Sequence, residues 1–180
     1  MPEIKIDSSW TLFLDRDGVI NERNFEGYIT STSDFKFLPF VFKGLKKMSK
    51  QFSRIIVVTN QQGLGKGIMT ETTLDTIHYE MCKALKAEGI IVDKVFYASN
   101  LRGAKMDRRK PNEAMGIEAQ NEFPEIDFKK SIMVGDTGSD LQFGMNLGMK
   151  TVLIHSAEIV TIEPDIKVNN LNELADVLIF

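Results

Sequence analysis

The sequence lacks the features that mark secreted, disulfide-stabilised and membrane-spanning proteins. It contains one cysteine, Cys82, in 180 residues, so it can form no intramolecular disulfide and offers no cysteine framework for zinc. The N-terminal segment MPEIKIDSSW has no apolar run of signal-peptide length. No segment approaches the roughly 18 apolar residues of a membrane span. We therefore expect a soluble, cytoplasmic protein with no membrane partner.

An excess of charge of either sign is also missing. The chain has 22 basic and 25 acidic residues, a net charge of −3, which gives no sign of a strongly basic surface for nucleic acid. We therefore expect no nucleic-acid partner, although basic residues cluster at 105–110. No internal repeat or linker interrupts the sequence, so we expect a single domain over residues 1–180 and a monomer.

Short apolar segments alternate with helical patterns along the chain. This alternation is typical of an α/β protein with a Rossmann-like parallel sheet and helices on both of its faces. The pattern predicts strands at 10–14, 55–59, 92–98, 131–134 and 151–154. It predicts helices at 39–51, 70–89, 112–122, 139–147 and 171–178.

Polar residues follow several of these strands at the point where each strand ends. Asp15 and Asp17 follow the first strand, the segment TNQQ follows the second, and Asp136 and Asp140 follow the fourth. Ligands of parallel sheets bind beyond the carboxyl ends of the strands. We therefore expect these side chains to meet in one crevice, together with Lys110.

The residue types in this crevice suit phosphoryl transfer. Clustered carboxylates repel one another, and Mg²⁺, which prefers oxygen ligands, would relieve that repulsion and bridge to a phosphate. Asp15 can attack phosphorus, and Asp17 can protonate the leaving alcohol and then activate water, if Asp17 is the more easily protonated of the two. Lys110, Thr59 and Asn60 supply positive charge and donors for the phosphoryl oxygens. The sequence thus predicts a magnesium-dependent phosphatase with an aspartyl-phosphate intermediate.

Four motifs resemble those of the haloacid dehalogenase superfamily of phosphatases. LFLDRDGVIN matches the nucleophile loop, VVTNQQG the second motif, RRKP the third with its lysine, and VGDTGSD the fourth. The resemblance implies that the Asp15 side chain, the Asp17 main-chain carbonyl and Asp136 hold Mg²⁺, with Asp140 in support. It also implies that Thr59 binds phosphate and that the chain has no large cap domain.

Within the superfamily, the segments DRDGVIN, GYI, TNQQGLGKG and RRKP resemble the heptose bisphosphate phosphatases, with the histidinol-phosphate phosphatases as the second choice. The resemblance implies a small sugar phosphate as substrate, D-glycero-D-manno-heptose 1,7-bisphosphate first and histidinol phosphate second. The residues expected to bind this substrate are Arg16, Arg23, Tyr28, Asn60, Gln61, Gln62 and Arg109.

The resemblance ends at one loop. Both groups of relatives usually carry a structural zinc there, bound by Cys-x-His and Cys-x-Cys. The matching positions of this chain are Ala98, Asn100, Met106 and Arg108. We therefore expect no zinc, and a pocket rim that differs from the rim of the relatives.

Two functions of other classes stay open. Polynucleotide 3′-phosphatases share DxDG and TNQ-type motifs, although the net charge argues against a groove for a strand. A binding module without catalysis is the other, and the complete set of catalytic side chains argues against it.

Other features favour structural roles. GLGKG lacks the spacing of a phosphate-binding loop and predicts a flexible turn in which Lys66 can face the site. His78 and His155 have no partner at ligand spacing, and Asp165 is expected to be a surface charge.

Overall fold

The computed structural model describes residues 4–180 and confirms the predicted α/β fold. In this part of the chain the strands are β1 (Ile4–Lys5), β2 (Thr11–Leu14), β3 (Arg54–Asn60), β4 (Lys94–Ala98), β5 (Ser131–Gly135), β6 (Lys150–Ile154), β7 (Ile166–Val168) and β8 (Leu178–Ile179). Six of them form one parallel sheet in the order β4-β3-β2-β5-β6-β7. The short strands β1 and β8 pair with each other, also in parallel.

Helices join the strands and cover both faces of the sheet. They are α1 (Val41–Met48), α2 (Gln62–Gly65), α3 (Glu71–Ala87), α4 (Ala114–Glu122), α5 (Gly138–Leu147) and α6 (Leu171–Val177). A 3-10 helix, Phe128–Lys130, precedes β5. Across residues 4–180, no helix combines the length and the apolar character that a membrane crossing requires.

The side chains of the central strand β2 alternate between two apolar cores. Leu12 and Leu14 pack on the face covered by α1, α3 and α6, whereas Phe13 packs on the face covered by α4 and α5. All three side chains are fully buried, and burying an apolar side chain of this size contributes about 1.5–3 kcal/mol. Burial on both faces explains why this strand is an unbroken apolar run.

The register of the sheet fixes where the site lies. Leu14 of β2 is opposite Val57 of β3 on one side and Val134 of β5 on the other. The segments that follow these three strands therefore emerge side by side at one edge of the sheet, as the sequence predicts.

Helix α3 shows why most of the predicted elements are confirmed to within a few residues. The Thr70 hydroxyl accepts a hydrogen bond from the backbone N–H of Thr73 and caps the start of the helix. Gly89, with φ +77°, lies just beyond its end. The predicted face of α3 is buried, at Leu74, Ile77, Met81 and Leu85.

The predicted start of the first helix is wrong. Helix α1 begins at Val41 and not at Pro39, because Phe40 adopts a left-handed conformation with φ 67°. This conformation is a genuine outlier for a bulky residue. It turns the chain just before the helix, so Pro39 lies outside the first turn.

The expectation of a turn at GLGKG is wrong for its first three residues, whereas Lys66 and Gly67 do form a turn. The segment Gln62–Gly65 is a short helix that packs closely against the end of β4. A Cβ atom at Gly65 would lie 2.0 Å from the carbonyl oxygen of Ser99. Glycine therefore serves close packing here.

Asp165 is more than a surface charge. Its carboxylate accepts hydrogen bonds from the backbone N–H of Thr151 at 2.8 Å and from its hydroxyl at 3.1 Å. It also pairs with Lys150 at 2.8 Å. Asp165 thus fastens the segment before β7 to the start of β6.

Candidate active site

The predicted nucleophile lies at the floor of a cavity at the carboxyl edge of the sheet. Asp15 follows β2 directly, and its backbone N–H donates to the carbonyl of Val134 at 2.9 Å, so its main chain continues the pairing with β5. Its side chain accepts the backbone N–H of Arg16 on Oδ1 at 2.7 Å. Asp15 is only 8% exposed, which restricts contact with water and fixes the carboxylate.

Lys110 holds two of the carboxylates together. Its Nζ lies 2.8 Å from Oδ1 of Asp15 and 2.6 Å from Oδ1 of Asp140, and it donates to the carbonyl of Val58 at 2.7 Å. The ammonium group thus has three acceptors for its three protons. Burial alone would lower the pKa of Lys110, but the two carboxylates raise it. Lys110 is therefore a permanent positive charge beside the nucleophile.

Asn60 positions this lysine. Its Oδ1 accepts the backbone N–H of Lys110 at 2.9 Å, and its Nδ2 donates to the Lys110 carbonyl at 3.2 Å. We had expected Asn60 to bind phosphate. Both polar side-chain atoms of Asn60 instead form hydrogen bonds with the main chain of Lys110, although Asn60 still lines the cavity.

Three carboxylates form the expected metal cluster. Oxygens of Asp15, Asp136 and Asp140 all lie within 4.8 Å of one another. Asp140 is engaged on both sides, because its Oδ2 accepts from the backbone N–H and hydroxyl of Thr137 while its Oδ1 meets Lys110. Asp140 thus links Thr137 to Lys110, and its supporting role at the metal stays a prediction.

Asp136 is the carboxylate with a free oxygen. Its Oδ2 accepts from Nη1 of Arg23 at 3.1 Å, but its buried Oδ1 has no hydrogen-bond partner within residues 4–180. A buried oxygen without a partner is costly, and an oxygen-preferring cation beside it would remove that cost. The residues present therefore fit Mg²⁺, with Asp15 and Asp136 as side-chain ligands.

The electrostatics of the cluster also favour a cation. Burial, together with repulsion from Asp140 and Asp136, raises the pKa of Asp15 well above its usual range despite the opposing charge of Lys110. Burial and Asp140 raise the pKa of Asp136 to about 6. A nucleophilic carboxylate must be ionised. A divalent cation would favour the ionised form of both groups.

Asp17 is held from three sides. It accepts from Nη2 of Arg16 at 2.9 Å, from Nδ2 of Asn21 at 2.9 Å and from Nε2 of Gln61 at 2.9 Å. The same Gln61 nitrogen donates to the hydroxyl of Thr59 at 2.9 Å. Thr59 thus acts as an acceptor towards Gln61, which leaves its own proton for another acceptor such as phosphate.

The order of the two aspartate pKa values is opposite to the expected one. Burial alone would raise the pKa of Asp17, but the charge of Arg16 and the hydrogen bonds from Asn21 and Gln61 hold it below its usual range. Asp15 is instead the group with the raised pKa. A cation on Asp15 and a phosphate beside Asp17 would each shift the pair towards the order that catalysis requires.

Arg16 differs from its expected role in substrate binding. Its side chain is 1% exposed, and its guanidinium contacts Asp17, the Oε1 atom of Gln61 and the Nε2 atom of His78. Its Nη1 and Nη2 atoms are thus both bonded inside the protein, whereas its buried Nε has no hydrogen-bond partner within residues 4–180. Sequence reasoning missed His78, whose only signal was its position on the buried face of α3.

The other predicted substrate residues surround a cavity of about 740 Å³. Arg23 lies at its wall, where Nη1 bridges Asp136 and Glu158. Lys66 also lines the cavity, as the sequence allows, and so do Arg102 and a loop at 158–162, which the sequence did not indicate. The lining residues among the predictions are Arg23, Tyr28, Asn60, Gln61, Gln62 and Arg109, and the additional ones include Lys66, Arg102 and residues 158–162.

Direct contacts join part of the loop at 98–110, where the motif resemblance ends. The side-chain oxygen of Asn100 accepts the backbone N–H of Arg108 at 3.3 Å. Nε of Arg108 donates to Glu118 on α4 at 2.9 Å. Two of the four positions at which the resemblance implies zinc ligands in the relatives, Asn100 and Arg108, thus bond to each other.

Comparison with known proteins agrees with this geometry. A family model described as polynucleotide kinase 3 phosphatase matches residues 12–156. The D-glycero-alpha-D-manno-heptose-1,7-bisphosphate 7-phosphatase of Mycobacterium tuberculosis is 35% identical over 138 residues, which cover 77% of this chain and 73% of the relative. The D-glycero-beta-D-manno-heptose-1,7-bisphosphate 7-phosphatase of Salmonella typhi is 33% identical over 175 residues, which cover 92% of this chain and 91% of the relative.

A solved structure shows the same fold. The D,D-heptose 1,7-bisphosphate phosphatase from B. bronchiseptica, complexed with magnesium and phosphate, has a TM-score of 0.84 at 25% identity and covers 93% of this chain and 96% of that one. The matching model spans well over half of the chain, and both relatives exceed 30% identity. The chain therefore belongs to the polynucleotide kinase 3 phosphatase family of the haloacid dehalogenase superfamily, and it is a phosphatase.

Proposed function

We propose that this phosphatase removes the 7-phosphate of D-glycero-D-manno-heptose 1,7-bisphosphate. The observation that carries the proposal is the Asp15–Lys110 pair at the floor of a cavity that further cations line. One phosphate of a bisphosphate would meet this pair, and the other needs positive charge farther out. Arg109, Arg102 and Lys66 supply such charge in the cavity wall. The printed activities of the relatives support the same substrate.

The first step would transfer the phosphoryl group to Asp15. Oδ1 of Asp15 is occupied by Lys110 and the Arg16 N–H. A carboxylate oxygen attacks phosphorus, the bond from phosphorus to the sugar oxygen breaks, and Asp17 gives a proton to that oxygen. Lys110 and the Thr59 hydroxyl would stabilise the charge on the other phosphoryl oxygens.

The second step would return Asp15 to its starting state. Asp17, now ionised, takes a proton from water, and the resulting hydroxide attacks phosphorus and breaks the bond to the Asp15 carboxylate. Mg²⁺ bound to Asp15, the Asp17 carbonyl and Asp136 would neutralise charge on the phosphoryl group throughout. Because its pKa is lowered in the free site, Asp17 is ionised there and therefore available to accept this proton.

The test is phosphate release by purified protein with Mg²⁺, followed by ³¹P NMR to show which phosphate is lost. Both anomers of the heptose bisphosphate, histidinol phosphate and a 3′-phosphorylated oligonucleotide serve as substrates, with Asp15→Asn as control. We expect release of the 7-phosphate, abolished in the variant. Faster turnover of histidinol phosphate would replace the substrate assignment while leaving the mechanism intact.

The oligonucleotide tests the second candidate function. The matching family model carries the description of a polynucleotide phosphatase. The net charge of −3 favours a small substrate over a nucleic-acid strand. Oligonucleotide turnover that exceeds sugar phosphate turnover and falls steeply with salt would support the nucleic-acid function instead.

A further inference from the structure

The guanidinium of Arg16 is enclosed, yet it carries a full charge beside the proposed acid–base residue. Nη2 donates to both oxygens of Asp17, at 2.9 and 3.1 Å, and to Oε1 of Gln61 at 3.2 Å. Nη1 contacts Nε2 of His78 at 3.1 Å. Arg16 therefore joins Asp17 in the nucleophile loop to His78 on α3.

The chemistry of this contact fixes the form of His78. Arginine has donors only and keeps its proton, so Nε2 of His78 must accept and the ring proton must reside on Nδ1. Burial, and then the charge of Arg16, lower the pKa of His78 to about 3. His78 is thus a neutral acceptor at any pH at which the enzyme is assayed.

A neutral acceptor suits this position better than a carboxylate would. A carboxylate at residue 78 would compete with Asp17 for the same guanidinium. The imidazole binds Nη1 without drawing Nη2 away from Asp17. Helix α3 is anchored in the core through Ile77 and Met81, on either side of His78, so the acceptor is held by a rigid element.

We propose that His78 is a positioning residue for the phosphatase reaction, acting through Arg16 to hold the Asp17 carboxylate in place for proton transfer. This inference rests on the proposed function, because it presumes that Asp17 transfers the proton. Without the acceptor, Nη1 would be a buried donor with no partner, and the guanidinium would shift towards a new one. Asp17 would then lose one of its three supports.

The test compares two leaving groups in His78→Leu and His78→Gln. An alkoxide leaving group needs a proton from Asp17, whereas 4-nitrophenolate leaves without one. In His78→Leu we expect kcat/KM to fall about 30-fold on the alkyl phosphate that the wild type hydrolyses best and less than about threefold on 4-nitrophenyl phosphate. The amide oxygen of His78→Gln lies near the position of Nε2, so this variant should recover most of the alkyl activity. Met81→Leu, on the same buried face of α3, is the matched control and should match the wild type.

Three results would overturn the inference: unchanged kinetics in His78→Leu, equal losses on both esters, or no recovery in His78→Gln. If His78→Leu does not fold, His78→Asn replaces it, because its shorter side chain cannot bring an acceptor to Nη1. The wild type and Asp15→Asn are measured in parallel. Failure of the proposed function then appears as the absence of Asp15-dependent turnover in the wild type, and failure of the inference as an unaltered ratio between the two esters.

Discussion

Gly18 ties the geometry of the nucleophile loop to the metal site, so alanine at this position should damage metal binding more than folding. A Cβ atom at Gly18 would lie 2.2 Å from Oδ2 of Asp136, whereas ordinary contacts begin at 3.4 Å. The Asp136 carboxylate would therefore have to move by about 1 Å or rotate out of the cluster. Loss of a group that only orients a ligand weakens metal binding by roughly 10–100-fold, so displacement of the ligand itself should cost at least about tenfold. Gly18 also has φ +88°, which costs alanine about 1–2 kcal/mol.

Gly89→Ala is the matched control for this experiment. Gly89 has φ +77°, and its added Cβ would meet no atom within 4 Å. Both variants carry the backbone strain, but only Gly18→Ala carries the collision with Asp136. In EDTA, each should lower the melting temperature by about 2–8 °C, the shift that about 1–2 kcal/mol produces in a chain of this size.

The deciding assay is a calorimetric titration with Mg²⁺, supported by the Mg²⁺ dependence of phosphatase activity. Gly89→Ala should bind Mg²⁺ as the wild type does, and Gly18→Ala should bind at least about tenfold more weakly. If Gly18→Ala binds Mg²⁺ within threefold of Gly89→Ala, then Asp136 is not a ligand in the way that we describe.

Three further predictions concern Lys110, Asp165 and Asp17. Lys110→Met leaves buried carboxylates without their cation, so the free energy of unfolding should fall by about 3–5 kcal/mol and kcat should fall by roughly 100-fold or more. A loss of unfolding free energy below about 1 kcal/mol, measured by urea unfolding, would contradict this prediction. Burial alone would raise the pKa of Asp165, but Lys150 and the hydrogen bonds from Thr151 outweigh this effect and hold the pKa below its usual value. The ionised Asp165 therefore stabilises the folded protein above the pKa that Asp165 has in the unfolded chain. This stabilisation is lost as the pH falls through the pKa that Asp165 has in the folded protein. Asp165→Asn should therefore destabilise at pH 7 by about 1 kcal/mol and differ little from the wild type at the lowest pH where both fold; equal stability at pH 7 would argue against the role of Asp165. Asp17→Asn should slow hydrolysis of the phosphoenzyme more than formation of the phosphoenzyme from 4-nitrophenyl phosphate. A burst of nitrophenolate without later turnover would reveal this difference. Unchanged steady-state turnover would remove Asp17 from the mechanism.

The sequence predicted the convergence of the main side chains because a general rule governs it. Asp15 and Asp136 follow neighbouring parallel strands, and residues in that position meet at one edge of the sheet whatever the details of packing. Lys110 was placed with them because it precedes the helix after the third predicted strand, and the motif resemblance added its role as the lysine of the third motif. The parallel sheet and most helix bounds followed from alternation and capping residues, whereas the order of the strands was not predicted.

The contacts that sequence reasoning missed depend on packing across long separations. Arg23 and Asp136 meet across 113 positions of the chain, and Arg16 and His78 across 62. The rotation of α3 about its axis decides whether His78 faces Arg16, and that rotation is set by the core. The order of the pKa values of Asp15 and Asp17 likewise depends on burial and on which donors reach each carboxylate.

The central claim is that Asp15 becomes phosphorylated during turnover. The most direct measurement is rapid acid quenching of the enzyme with its best substrate and Mg²⁺, followed by peptide mass mapping of the phosphorylated residue. We expect a phosphoryl group on the peptide that contains Asp15, absent in Asp15→Asn and accumulating in Asp17→Asn. Phosphate on a different residue, or efficient turnover by Asp15→Asn, would contradict it.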